Sequence, residues 1–292
     1  MTLAIGSVQE VDGGTMQRWL PCLHDWLLPG AFYGVQHTWP QLYRRDGNGR
    51  FFVLADGERL LSHCAVRTLV LHGEHGPFRA NLLGSVATDP ELRGRGLAQE
   101  VLTAALQATA TDAPFTLLWA ERPELYARMG FVPCSEEVGM LLARRPQPRL
   151  DGVRLMTIAD HAAALALHAQ KPWRVERDLR SMSGLLTTPG MVAVVLERDG
   201  VVVAYACCGK GADLQGHWHE VGGTDADVAV LLPAALHMAE QREAMLLLPP
   251  YRTELRELLG ASVLGDAVLH GPMVRSLAGD LPACWIDGLD SV

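Results

Sequence analysis

No stretch of the 292-residue chain is apolar for long enough to cross a membrane. Runs such as Met191–Leu196 and Ala244–Leu248 fall far short of the roughly 20 residues a spanning helix needs. The opening Met1-Thr2-Leu3-Ala4-Ile5-Gly6 lacks both a basic region and a long apolar stretch, so no secretory signal is expected and the expected compartment is the cytoplasm. No C-x-x-C pair occurs. The six cysteines stand scattered at 22, 64, 134, 207, 208 and 284, a pattern read as buried free thiols. Basic residues are not in excess: the formal net charge of −8 argues against a nucleic-acid partner and is compatible with a cationic acceptor. Two phosphate-loop signatures are missing as well. There is no G-x-x-x-x-G-K-[ST], and Gln99 stands where the third glycine of a G-x-G-x-x-G would fall after Gly94 and Gly96.

What is present is an ordinary globular mixture, 49% hydrophobic and 20% charged, in a chain long enough for two domains of about 100–150 residues. Periodicity and turn residues predict strands at Leu3–Val8, Phe51–Ala55, Arg59–Leu71, Ala80–Thr88 and Phe115–Trp119. They predict helices at Thr15–Leu28, His37–Arg45, Leu97–Thr111 and Pro123–Met129, and a final strand or pair within Phe131–Ala143. The polar, proline-rich Arg144-Arg145-Pro146-Gln147-Pro148-Arg149 reads as a linker, after which the order of elements restarts. Val53-Leu54-Ala55-Asp56-Gly57 is similar to Val195-Leu196-Glu197-Arg198-Asp199-Gly200 with one insertion. Glu124–Gly130 aligns with Glu254–Gly260 without a gap. Similar segments in the same order predict an internal duplication, with domains at 1–145 and 150–292.

The chemistry is concentrated in Val86-Ala87-Thr88-Asp89-Pro90-Glu91-Leu92-Arg93-Gly94-Arg95-Gly96-Leu97-Ala98. A predicted strand runs into a loop with two glycines and two arginines, and the loop opens a helix. Glycines let the backbone adopt positive φ and approach an anion, while free N–H groups at a helix start favour phosphate. This run resembles motif A of the GNAT superfamily of N-acetyltransferases, Q/R-x-x-G-x-G/A, through Arg93, Gly96 and Ala98. Glu124-Leu125-Tyr126-Ala127-Arg128-Met129-Gly130-Phe131 is similar to that family's "LYxxxGF" segment. The resemblance covers roughly residues 1–145. It implies an α/β (α+β) fold of two tandem GNAT-like domains, each a mixed, mostly antiparallel sheet flanked by helices, with acyl-CoA wedged between the fourth and fifth strands. It further implies that the backbone of Val86, Ala87 and Thr88 pairs with the pantetheine arm. The amides of Arg93, Gly94, Arg95, Gly96, Leu97 and Ala98 would hold the pyrophosphate, the Val86 N–H would polarise the acyl carbonyl, and Tyr126 would act as general acid toward the leaving thiolate.

The sequence departs from the family pattern where Trp119-Ala120-Glu121-Arg122 replaces the usual asparagine after the fifth strand. The glutamate often found early in the fourth strand is also missing, which leaves His63, Glu121 and the main-chain carboxylate of Val292 as candidates for the base. The second half aligns Arg256 with Tyr126, and a guanidinium does not deliver a proton at neutral pH. Its counterpart of the anion loop, His217-Trp218-His219-Glu220-Val221-Gly222-Gly223-Thr224, has no Arg-x-x-Gly-x-Gly/Ala. In a strand His217 and His219 share a face and Glu220 does not, too few ligands for zinc, so no metal is expected. The second domain is therefore expected to be a degenerate copy that shapes the acceptor site, with Trp285–Val292 packed between the halves. The expected activity is acyl transfer, with acetyl-CoA as donor, to a primary amine of a small molecule or peptide. The alternative is an acyl-CoA-binding sensor without turnover. Two-domain relatives by this resemblance include mycothiol synthases and the enhanced-intracellular-survival aminoglycoside acetyltransferases.

Overall fold

A computed structural model describes residues 6–44, 47–145 and 150–292. The expected first strand falls partly outside these residues (Leu3–Ile5), as does most of the expected linker (146–149); the first strand described is β1 (Gln9–Val11). It is followed by β2 (Gly49–Asp56), β3 (Arg59–Gly73) and β4 (Gly76–Thr88), each antiparallel to its predecessor. The β2–β3 hairpin turns at Gly57-Glu58, one residue past the Asp56-Gly57 signal, and Gly57 takes φ +61°, a conformation that favours glycine. β5 (Phe115–Leu118) then joins β4 in parallel, after a crossover through the helix Leu97–Ala108. That helix buries Leu97, Val101, Leu102, Ala105 and Leu106 on one stripe against Phe52, Leu54, Leu61, Val66 and Leu83 of the sheet.

Beyond β5 the chain trades strands between two sheets. β6 (Val132–Pro133) stays in the first, whereas β7 (Glu136–Ala143) crosses into the second. There, β8 (Val153–Leu155) edges the sheet, β9 (Arg174–Val175) returns to pair with β3, and β10 (Val192–Arg198), β11 (Val201–Cys208) and β12 (His217–Gly223) run antiparallel. β13 (Glu243–Leu248) is parallel to β12, and β14 (Val263–His270) flanks β7. The last strand, β15 (Met273–Ser276), goes back to the first sheet and sits between β5 and β6. The outer edge of β5 is thereby covered by a strand more than 150 positions away, and each sheet is completed by a strand from the other half. The sheets do not divide at the expected domain boundary: of the final strand or pair expected within Phe131–Ala143, Val132–Pro133 stays in the first sheet and Glu136–Ala143 lies in the second, between β13 and β14. The architecture is the mixed α/β, two-sheet fold expected, with the duplicated order β10–β13 repeating β2–β5.

Candidate active site

β4 and β5 pair only at Ala80↔Phe115, Asn81↔Thr116 and Leu82↔Leu117. Past Leu82 the strands part, so β4 from Leu83 to Thr88 has β3 on one side and no strand of the described residues on the other. The parting coincides with a bulge. His63 pairs with Ala87 and Ala65 with Gly84, which leaves Cys64 opposite two residues, Ser85 and Val86. Ser85 takes φ +54°.

Below this gap the chain makes the loop expected to bind an anion. Asp89 caps the turn by accepting from Glu91 N at 3.0 Å, and Arg59 clamps the same carboxylate at 2.6 Å. Gly94 and Gly96 have φ +78° and +83°, and a Cβ at either would meet nothing within 4 Å. Gly96 caps the helix Leu97–Ala108 without any side-chain hydrogen bond, which leaves its first amides to an outside acceptor. Arg93, Gly94, Arg95 and Gly96 are exposed and Ala98 is half-buried, whereas the Leu97 side chain is driven into the core and anchors the loop. Arg93 Nε donates to Thr88 O at 3.3 Å. Of the strand residues, Val86 and Thr88 are half-buried and Ala87 is buried. Thr88 Oγ1 lies 2.9 Å from Ser62 Oγ.

Tyr126, on the helix Pro123–Ala127, shares one apolar cluster with Val86, Leu97, Leu118 and Ala120, so the ring stands beside the parted ends of β4 and β5. It packs edge-on against Phe131 at 6.0 Å. Burial, then the nearby Cys64 and Glu121, push its phenol up to about 12. The hydroxyl therefore keeps its proton throughout the neutral range.

Residues 29–134 match the family model described as an acetyltransferase (GNAT) domain. The first half of this chain carries a GNAT acetyltransferase domain. None of the curated proteins matches the sequence. Among solved structures, the fold is similar to a "Probable N-Acyltransferase" of Enterococcus faecalis V583 at TM-score 0.71 and 14% identity, covering 92% of this chain and 72% of that one. It is similar to a GCN5-related N-acetyltransferase from Kribbella flavida at 0.66 and 16%, covering 92% and 71%. Eis1 from Mycobacterium abscessus follows at 0.62 and 13%, covering 93% and 74%. These likenesses extend over both halves, so the two-sheet fold as a whole is shared.

The GNAT domain has a second face to its gap. Opposite Tyr126, one cluster gathers Leu82, Leu117, Trp119, Cys134, Cys284, Ile286 and Val292. A Cβ on Gly84 would lie 2.6 Å from the main-chain carbon and oxygen of Val292, so only glycine lets that residue seat against β4. On this face the Trp119 indole N–H donates to Glu137 Oε1 at 3.1 Å. Burial raises the Glu137 carboxyl above its usual value, with the Trp119 bond opposing it. Sequence reasoning passed over Glu137 because it reads as one polar position in a strand, and only the crossing of β7 carries it to the end of β5. His63, by contrast, is fully buried, bonds Ser85 O through Nδ1 at 2.8 Å, and is lowered to about 4 by burial. It does not reach open space. Glu121 is exposed. A cavity of about 900 Å³ opens between the halves, lined by Gln17, Gln36, His37, Tyr43, Phe51 and Thr188 among others; Tyr43 links it to the bulge.

In the second half, β12 and β13 likewise pair only briefly, at His217↔Met245 and Trp218↔Leu246. The helix that follows β12, Asp225–Met238, differs at the point that matters. Thr224 Oγ1 accepts from Asp227 N at 3.1 Å, and Asp225 and Asp227 stand in the first turn. Asp225 further accepts from Leu255 N at 3.0 Å and from Arg252 at 2.8 Å. This helix start is filled by the chain's own oxygens and carries negative charge, the opposite of an anion site. His219 bonds Gly209 O at 2.8 Å, and both Glu220 oxygens accept from Arg177. His168, Glu220 and Asp287 do bring possible ligand atoms within 4.8 Å of one another, but the Lys171 ammonium already lies 2.8 Å from Asp287 and 3.5 Å from Glu220.

Proposed function

We propose that the GNAT domain transfers an acyl group, acetyl in the simplest case, from coenzyme A to a primary amine by direct attack. The observation that carries this reading is the parting of β4 from β5 immediately above an uncapped, glycine-flanked helix start. The pantetheine arm adds to the free side of Val86, Ala87 and Thr88, and the amides of Arg93 to Ala98 take the diphosphate. The amine nitrogen bonds to the thioester carbon, the carbonyl oxygen gathers charge under the Val86 N–H, and the carbon–sulfur bond breaks on the Tyr126 side. The proton shed by nitrogen leaves on the other face, where Glu137 is the side-chain carboxylate in position. The second half, its own helix start blocked, completes the first sheet and walls the acceptor space.

Titration calorimetry with acetyl-CoA, followed by thiol release with an amine panel, tests the reading. Micromolar binding with release is expected. Binding without release under every condition would favour a sensor, and no binding would end the proposal. Gly96→Val forces a β-branched residue to φ +83° and puts methyls where the diphosphate sits. We expect coenzyme affinity to fall at least about tenfold, since lost anion contacts and backbone strain each contribute on the order of 1 kcal/mol or more. Unchanged affinity would place the diphosphate elsewhere.

For Glu137 the pH profile decides. A base works when deprotonated, so the rate should rise with pH through the raised carboxyl and then level off; the nearby Cys134 thiol is itself raised, by burial, to about 11 and stays neutral. Glu137→Gln keeps an acceptor for Trp119 while removing the charge. Because a carboxyl raised in the fold costs stability above its pKa, the variant should melt no lower than wild type at neutral pH. Its kcat should fall about 10²-fold with the acidic limb gone. A wild-type rate with the limb intact would take Glu137 out of the mechanism.

A further inference from the structure

Three non-glycine residues among those described have positive φ: Ser85, Asp199 and Glu240. Asp199 sits in the β10–β11 turn and Glu240 just past a helix, where such conformations are routine. Ser85 lies inside a strand. A side chain with a Cβ disfavours this left-handed conformation, so the surroundings must hold it.

Two buried side chains do. The Tyr43 hydroxyl donates to Ser85 Oγ at 2.6 Å, and His63 Nδ1 lies 2.8 Å from Ser85 O. A carbonyl only accepts, so Nδ1 carries the proton. Burial disfavours the charged ring, and the other nitrogen, Nε2, is buried with no hydrogen-bond partner among the described residues. One neutral tautomer is thus fixed across the neutral range. The two rings have little room to turn: Tyr43 stacks on Phe51 at 5.3 Å, and Phe51 stacks on His63 at 6.2 Å.

The consequence lies in the peptide plane. Ser85 C=O and Val86 N–H belong to one planar trans unit and point in opposite directions. His63 belongs to β3, on one side of β4. By fixing Ser85 O toward itself it turns the Val86 N–H away from β3, toward the open side of β4. We propose that Tyr43 and His63 are positioning residues that clamp Ser85 and so aim the Val86 amide at the acyl oxygen. The proposal rests on the acyl-transfer reading for its chemical purpose, but the clamp itself is a structural claim with its own readout.

The experiment compares Tyr43→Phe, which deletes one hydroxyl, with His63→Leu, which deletes the donor, and His63→Asn, whose amide can replace Nδ1–H. The backbone amide resonance of Val86 is followed with and without coenzyme A, alongside coenzyme affinity and thiol release from acetyl-CoA with an amine. The Val86 resonance should shift in Tyr43→Phe and His63→Leu and move back toward wild type in His63→Asn. Thiol release should show kcat lowered about tenfold, part of the roughly 10²–10³ that a lost oxyanion donor costs, with the KM for acetyl-CoA unchanged. Should His63→Leu fail to fold, Tyr43→Phe and His63→Asn carry the comparison. A Val86 resonance indifferent to both substitutions overturns the clamp, as does a parallel loss of kcat and coenzyme affinity, which would mark a merely structural role. If wild type releases no thiol from any amine, the acyl-transfer reading has failed, and the Val86 resonance still decides the clamp.

Discussion

Tyr126→Phe should lower kcat by about 10- to 100-fold while leaving coenzyme affinity and melting temperature near wild type. The substitution removes one oxygen from a ring that packs on Phe131 and on the Val86–Leu118 cluster, so the apolar contacts persist. The size of the effect follows from the phenol's own chemistry. With its pKa pushed up to about 12, the hydroxyl is protonated at every working pH but is a weak acid. Full transfer to a thiolate of pKa about 8.5 runs uphill by roughly 5 kcal/mol. The tyrosine therefore serves best as a hydrogen-bond donor to the sulfur as it departs as thiolate, while the ammonium proton of the adduct goes to Glu137 on the other face. That places the loss in the lower part of the range for acid–base catalysis, and it puts no alkaline limb from Tyr126 below about pH 10. Steady-state thiol release across pH 6–10 checks both points. A rate equal to wild type would show that the thiolate leaves unaided, and a limb near pH 8 that vanishes in the variant would show the phenol to be far more acidic than its burial allows.

How much of this could be read beforehand depended on how local the determinants are. The Gly94–Gly96 bend, the helix behind it and the hairpin around Gly57 are written in consecutive residues, and each lies within a residue or a few of where the pattern put it. The parting of β4 and β5 has no local signature. Leu83 and Val86 look like any strand residues, yet pairing with β5 ends at Leu82 and the bulge in the β3 ladder follows at Ser85 and Val86. β14 and β15 escaped for a related reason. Val263-Leu264-Gly265-Asp266 alternates poorly, and these strands exist because β7 and β5 supply edges from more than 120 positions away. Glu137 could not be assigned chemistry until β7 was known to cross. His63 shows the converse: its residue type suggested a base, and its complete burial gives it different work.

The second large effect is on stability. Asp290→Ala should destabilise the protein by about 3–5 kcal/mol at neutral pH, the range for stranding buried charges. Asp290 is fully buried and accepts from Arg67 at 3.1 Å and from Arg177 at 2.6 Å. Arg67 lies in β3 of the first sheet, and Arg177 reaches on to Glu220 in β12 of the second at 2.7 Å. The tail residue is thus the joint between two sheets. Around it Lys171 pairs with Asp287 at 2.8 Å, and the Lys210 ammonium donates to the carbonyls of Gly288 at 2.8 Å and Ser291 at 2.7 Å. Arg67, Lys171 and Arg177 balance Glu220, Asp287 and Asp290, so removing one carboxylate leaves a net positive charge in a dry interface. Burial alone would raise the Asp290 carboxyl, but Arg177 and then Arg67 outweigh it and hold it below the usual range. A carboxyl lowered in the fold stabilises above its unfolded value, and that contribution fades as pH falls through the folded one. The gap between wild type and Asp290→Ala should accordingly be widest near neutrality and narrow in acid, which urea melts at several pH values will show. Replacing Arg67, Arg177, Glu220 and Asp290 together by Met or Leu of similar volume should recover most of the loss, because the ions need one another more than the fold needs ions. A single variant within about 0.5 kcal/mol of wild type would mean that water reaches this joint and that the tail is not what holds the two sheets together.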